Sequence, residues 1–447
     1  MNNVFFQDPW WLVLTKVLVL FVVLLVWTIF NVWYERRLVG KMQHRLGPIM
    51  NGPFGLGQAV ADGAKLLFKE DFSPAKADKF IFNLAPLLAG MAAFTTWTVI
   101  PLGGEVTMFG HQTRIQVTDL PVAALFVMAI ASIGIYGIVL AGWAGNSSYS
   151  FLGSIRSTAQ MISYELAMGL AMVGVFMRAN TMSTYGIVEA QNQPIPFANP
   201  FTGQLFMNGE HGITGHFWFL LFPCFVVYAI AMVGETNRAP FDLPECESEL
   251  VSGYITEYSG FRYAMFFLAE YINMATVSAM CTTLFLGGYL MPFPLNLIPG
   301  ADNPWWGPLV FVIKTQLLFS VFVWLRGTLP RFRYDQFMNL GWKYLIEIVL
   351  VYLLLVMIWP QQSALTGVLT AIAVGVLIAF KRRTDLGEPD PDSSPRAVDE
   401  GPFDPFAGGY PVPPRPGQRI PEMAGVVAGD HADATASVPT TEEGDVR

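Results

Sequence analysis

The chain has 447 residues, 53% of them apolar and 13% charged, with a mean hydropathy of +0.44, a balance that excludes an ordinary soluble globular protein and points to lipid. Its net charge of −8 misdescribes the apolar part, because residues 384–447 hold 13 acidic and 4 basic residues while residues 1–383 hold 21 and 22. The acidity belongs to a tail, and no nucleic-acid partner is expected.

In chain order, apolar runs near the 20 residues that cross a bilayer predict nine spans: 10–33, 80–101, 120–143, 157–178, 216–233, 262–291, 307–326, 341–359 and 364–380. The first has no basic n-region and no small-residue cleavage site, so it reads as a retained span rather than a signal peptide. Basic residues orient the bundle. With the N-terminus outside, 18 Lys and Arg fall inside and only two, Arg114 and Arg178, outside. The expectation is an all-α polytopic transmembrane helix bundle, with a membrane domain at 1–360, an additional transmembrane helix at 361–383 and a Pro-rich, acidic, disordered cytoplasmic tail at 384–447.

Between the first two spans, FGLGQAVADGAKLLF places Leu56, Ala59, Val60, Gly63 and Leu67 on one helical face and Asp62, Lys65 and Lys69 elsewhere. That pattern predicts a short helix lying on the membrane surface or on a soluble partner. Just before it, residues 35–53 carry Arg36 and Arg45 and turn through Gly47-Pro48; residues 325–336 carry Arg326, Arg331, Arg333 and Asp335. Arg37, Lys41 and Lys76 read as positive-inside anchors. Arg36, Arg45, Arg331 and Arg333 suit forked hydrogen bonds to a docked soluble partner, since Gly-Pro turns fix geometry that an anchor does not need.

The most informative segment is GETNRAPFDLPECESELVSGYITEY, residues 234–258, where Glu235, Asp242, Glu245, Glu247, Glu249 and Glu257 surround Arg238. Pro240 and Pro244 interrupt any helix, and Phe241, Leu243, Leu250, Tyr254 and Tyr258 are interleaved with the acids, so irregular backbone held inside protein is expected rather than a solvated acidic loop. Glu165, preceded by Tyr164, and Glu270 fall inside predicted spans, as do Lys314 and Glu347. Ionisable groups at that depth are costly and mark functional sites; neighbouring carboxyls there behave as a coupled set, which describes a proton relay. For Lys314 and Glu347 a structural ion pair is equally open. Cys224, Cys246 and Cys281 form no CxxC pair and the five histidines no mid-membrane pair, so neither a metal site nor a cofactor bound by this chain alone is expected.

Four ordered blocks then carry a resemblance: residues 45–70, 142–165 (GWAGNSSYSFLGSIRSTAQMISYE), 235–271 (ETNRAPFDLPECESELVSGYITEYSGFRYAMFFLAEY) and 329–343 (LPRFRYDQFMNLGWK). They resemble the quinone-site membrane subunit of respiratory complex I, the family that includes mitochondrial NADH dehydrogenase subunit 1. Residues 364–380 and the tail are additions to that family's eight spans. The resemblance implies a membrane subunit of a proton-translocating NADH:quinone oxidoreductase, with ubiquinone or menaquinone as substrate and with FMN and iron–sulfur clusters in partner subunits. It implies a quinone chamber lined or gated by Arg36, Arg45, Asp62, Tyr263, Phe267 and Arg326, and an acidic funnel of Tyr164, Glu165, Glu235, Arg238, Asp242, Glu245, Glu247 and Glu270. The partners implied are soluble-arm, small membrane and antiporter-like subunits, in a bacterial plasma membrane. A stand-alone transporter, which often shows internal repeats, and a membrane-bound hydrogenase subunit are the alternatives.

Overall fold

The computed structural model describes residues 8–192, 216–242, 251–292, 303–358 and Gly375. All of them belong to one compact unit, Met1–Ile378. The expected ninth span apart from Gly375, the tail, and Glu245, Glu247 and Glu249 lie outside the described residues.

The protein is a polytopic membrane helix bundle. Among the described residues, seven helical stretches are long and apolar enough to cross a bilayer, and Phe222–Glu235 is a shorter apolar helix. Helix α1 (Trp10–Met42) has 33 residues, about 50 Å at 1.5 Å per residue, so it outruns a hydrocarbon core of about 30 Å. Its last turns therefore continue past the apolar run, where Glu35 is buried and Arg36 is exposed. Helix α2 (Gly57–Phe68) is the short helix expected from its pattern; it buries no residue and lies against α1 and the later helix Gly260–Phe285.

Helix α3 (Lys79–Thr95) starts at Asp78, whose carboxylate accepts from the backbone N–H groups of Phe80 and Ile81, satisfying two orphan donors. Helix α4 (Ala123–Ala144) approaches α3 closely because a side chain at Gly137 would meet the Ala85 carbonyl at 3.0 Å and the Ala89 nitrogen at 3.1 Å, the small-residue seam usual in membranes. Helix α5 (Ser148–Ala179) begins nine residues before the run read from hydropathy. The reason is that its serine-rich first turns are buried: Ser150, Ser154, Ser157 and Gln160 are almost fully enclosed and hydrogen-bonded inside the protein.

The expected fifth span is broken at Leu221 into α7 (Phe217–Leu220) and α8 (Phe222–Glu235), with Pro223 in the first turn of the second piece, where its missing N–H costs least. Helices α9 (Gly260–Phe285) and α10 (Gly307–Thr328) follow. The last described span is α11 (Tyr334–Asn339), a π turn (Leu340–Leu345) and α12 (Ile346–Ile358). Two small elements sit at the Trp10 end of the bundle. One is a hairpin of β1 (Glu105–Met108) and β2 (His111–Arg114), in which Glu105 pairs with Arg114; the other is helix α6 (Thr184–Gln191). Neither is visible in the hydropathy pattern.

One contact decides where the chain after the acidic loop runs. A side chain at Gly153 of α5 would lie 2.6 Å from the Gly253 Cα, backbone against backbone. Gly153→Ala is expected to cost roughly 1–3 kcal/mol through overpacking and to lower the amount of chain retained in membranes on immunoblots. Gly63→Ala, with nothing within 4 Å of its added carbon, should leave that amount unchanged or raise it, since alanine is the better helix former by about 1 kcal/mol.

Candidate functional site

Where α8 ends, the chain cannot continue as a helix through Pro240, and the freed backbone groups are taken up by side chains. The Gln160 amide donates to the carbonyls of Gly234 (2.8 Å) and Phe241 (2.9 Å), and Asn237 donates to the Ser157 hydroxyl at 3.0 Å. The Phe332 N–H donates to the Pro240 carbonyl at 3.3 Å. Phe241 packs among Tyr164, Phe332 and Phe337. Tyr164 is fully buried, and its hydroxyl donates to the Phe337 carbonyl at 2.9 Å. Gly234 makes room for it, since any Cβ there would stand 2.5 Å from the tyrosine ring.

This scaffold aims Arg238 at a cluster of charges around the buried Glu35. Glu35, 3% exposed, accepts from the Tyr271 hydroxyl at 2.6 Å and from the Arg326 guanidinium, and lies 3.7 Å from an Arg238 nitrogen. The Arg238 Nε is 2.7 Å from the Glu270 carboxylate, and its guanidinium carbon sits 4.7 Å from the centre of the Tyr271 ring. Two carboxylates and two guanidiniums from α1, the 236–242 loop, α9 and α10 thus form a group of zero formal charge. Such balance offsets the desolvation that isolated charges would suffer.

Beside the cluster is a cavity between α3, α4, α5, α8 and α9. Its walls are largely apolar, with Met128, Met161, Met168 and Met172, and its polar lining includes Glu235, Asn237, Glu270 and Asn273. Glu235 is 8% exposed, and its Oε2 has no hydrogen-bond partner among the described residues. Glu165, on α5, is half-buried and accepts from the Ser132 hydroxyl of α4 at 2.5 Å. Carboxyls set around such a space can take up and release protons without crossing hydrocarbon. Along α9, Tyr263, Phe267 and Tyr271 follow one another at four-residue spacing, with ring centres 6.3 and 4.8 Å apart. The stair runs from the half-exposed Tyr263 to the hydroxyl that holds Glu35.

The family model for NADH dehydrogenase matches residues 15–357. The chain belongs to this family. The H-type subunit of the NADH-quinone oxidoreductase of Cutibacterium acnes is 57% identical to it over 425 residues, covering 94% of each chain. The protein of the same name from Streptomyces avermitilis is 46% identical over 433 residues, covering 94% of this chain and 90% of its own.

In this NADH dehydrogenase family member most of the other residues singled out in the sequence fall in three places. First, Arg36 pairs with Asp62 at 2.5 Å, joining α1 to α2, and Arg45 donates to the Gln43 side chain at 2.7 Å. Gly47 lies against α1, where a Cβ would stand 2.9 Å from the Arg37 Cα, and the Pro48 carbonyl lies over Gly55. Second, Arg331 meets Asp242 at 3.2 Å, while Arg333 and Asp335 are exposed at the same end of α11. Third, Glu257 is half-buried with its side chain against Gly145 at the end of α4. Lys314 is buried and donates to three carbonyls, those of Leu286, Gly288 and Leu290; Glu347 is on the exposed face of α12.

Two participants are not apparent from the sequence. The apolar run stops near Trp33, which puts Glu35 at the membrane edge, yet α1 continues for two more turns. Tyr271 closes the third of the four blocks, and the i, i+4, i+8 spacing of Tyr263, Phe267 and Tyr271 is the signal that could have found it.

Proposed function

We propose that this chain is the membrane subunit of a type I NADH:quinone oxidoreductase that forms the lipid-side quinone chamber and couples quinone reduction to proton translocation. Both relatives carry the name of the H-type subunit of that enzyme. The observation that carries the finer reading is the continuity of the aromatic stair with the buried Glu35–Arg238–Glu270 cluster and the carboxyl-lined cavity behind it. The chain holds no complete active site: electrons come from FMN and iron–sulfur clusters of soluble-arm subunits, and this chain supplies the slot and the acids. Arg36, Arg45, Asp62, Tyr263, Phe267 and Arg326 face the slot. Tyr164 positions the loop, and Glu165, Glu235, Arg238, Asp242, Glu245, Glu247, Glu249, Glu257 and Glu270 form the acidic route toward small and antiporter-like membrane subunits.

The quinone head draws protons as it is reduced, and the altered charge acts on the cluster. Two unit charges 4 Å apart interact by about 4 kcal/mol at an effective dielectric near 20, enough to redistribute protons and ion pairs around Arg238. More distant subunits require relayed steps. The 18-to-2 distribution of basic residues supports an N-terminus outside and a cytoplasmic tail at a bacterial plasma membrane, with Gly47, Pro48, Arg331, Arg333 and Asp335 at the soluble arm and residues 361–383 as an added helix.

The test is Phe267→Ala in isolated membranes. Losing one stacked ring, about 0.5–1.5 kcal/mol beyond its area, should raise KM for a short-chain quinone several-fold and shift sensitivity to a quinone-site inhibitor. NADH oxidation by a water-soluble artificial acceptor should stay unchanged. If KM and inhibitor sensitivity do not move, the stair is not the quinone path.

A further inference from the structure

The β1–β2 hairpin turns through Phe109 and Gly110, both in left-handed backbone with φ of +50° and +84°. Two-residue hairpin turns of this kind favour Asn-Gly or Asp-Gly, because a bulky side chain at positive φ is sterically disfavoured. Here the position holds a phenylalanine that is 83% exposed. Backbone and water both disfavour that choice, so the ring answers to something beyond the hairpin.

Its surroundings say what. The Trp11 ring of α1 meets Phe109 edge-on at 6.0 Å and His111 at 6.1 Å. Lys16 donates to Thr113 of β2 and to Asp8, which fixes the hairpin beside the first two turns of α1. At that level the outward surface of α1 becomes apolar, with Leu14, Val17 and Leu18 exposed. On the other side, β1 touches the turn Pro304–Trp306. There Trp305 and Trp306 are exposed just ahead of the exposed Leu309 and Ile313 of α10. Trp10, Trp11, Phe109, Trp305 and Trp306 therefore form one aromatic level where two lipid-facing helices begin, the place where amphipathic rings settle in a bilayer. The hairpin's Glu105, His111 and Gln112 are exposed beside it.

We propose that the Phe109 turn is a membrane-interface anchor that inserts between the headgroups and upper acyl chains of phospholipid on the Trp10 side, and so sets the seating of α1. Phospholipid is the occupant because the ring is continuous with lipid-facing surface and the two central turn residues, Phe109 and Gly110, carry no charge.

The experiment uses the assembled complex in vesicles of phosphatidylcholine and phosphatidylglycerol, with nitroxide labels at Phe109→Cys and, separately, at Gln112→Cys. Cys224 and Cys281 are buried, and Cys246 is replaced by serine. The label at 109 is expected to collide more with oxygen than with a water-soluble nickel chelate, and the label at 112 the reverse. Strong nickel collision at 109 would place the tip in water, and weak collision with both reagents would place it under a partner protein; either result overturns the proposal. In a second arm, Phe109→Asn keeps the turn but removes the ring. A label at Trp10→Cys in that background should gain about twofold or more in nickel collision as α1 loses its anchor, and an unchanged value would refute the seating role.

Discussion

Arg238→Gln is expected to lower quinone-linked NADH oxidation about a hundredfold or more while leaving electron flow to a soluble artificial acceptor intact. The guanidinium serves two buried carboxylates at once, Glu270 at 2.7 Å and Glu35 at 3.7 Å, and its removal takes a cation from both. Removing one partner of a buried ion pair costs roughly 3–5 kcal/mol, and every 1.4 kcal/mol that falls on the reactive arrangement is about tenfold in rate. Arg238→Lys should rescue little, because one ammonium cannot bridge two carboxylates and also lie flat on the Tyr271 ring. The double variant Arg238→Gln/Glu270→Gln should recover part of the loss, with a coupling of roughly 1–3 kcal/mol. Strictly additive losses would mean that the two side chains do not act together.

Glu165→Gln should separate pumping from electron transfer. Glutamine keeps the shape and can still accept from Ser132 as Glu165 does at 2.5 Å, but it cannot take up a proton. Proton transfer by a positioned carboxyl contributes roughly 10²–10⁴-fold, so protons moved per NADH oxidised should fall about tenfold. The amount of assembled complex should stay within about twofold, as a surface-neutral change would leave it. Glu235→Gln, at the buried carboxyl that lines the cavity, should act similarly, and the pair together should lose little more than either alone. Near-normal pumping in Glu165→Gln would remove this residue from the route.

Most helices are legible in the sequence because lipid imposes one rule on every span: about 20 apolar residues. Where that rule stops applying, the pattern loses its meaning for physical reasons. The start of α5 is hidden because Ser150, Ser154 and Ser157 are polar by type yet buried in fact. The hairpin is hidden because its strands have four residues each, and Phe-Gly is not a turn signature. The break after Glu235 is legible through Pro240 and the interleaved aromatics. Its organising contacts are not, because Gln160 and Glu35 come from helices far along the chain and Tyr271 from the span that follows. Lys314, open between a relay and an ion pair in sequence, instead binds backbone carbonyls.

That lysine has a mechanical consequence. Just beyond the far end of α9, its ammonium grips three closely spaced carbonyls, while Glu270 and Tyr271 tie the near half to Arg238 and Glu35. A rod riveted at both ends cannot slide along its own length without tearing charged fastenings at one of them. The rod itself is thereby a fixed rail.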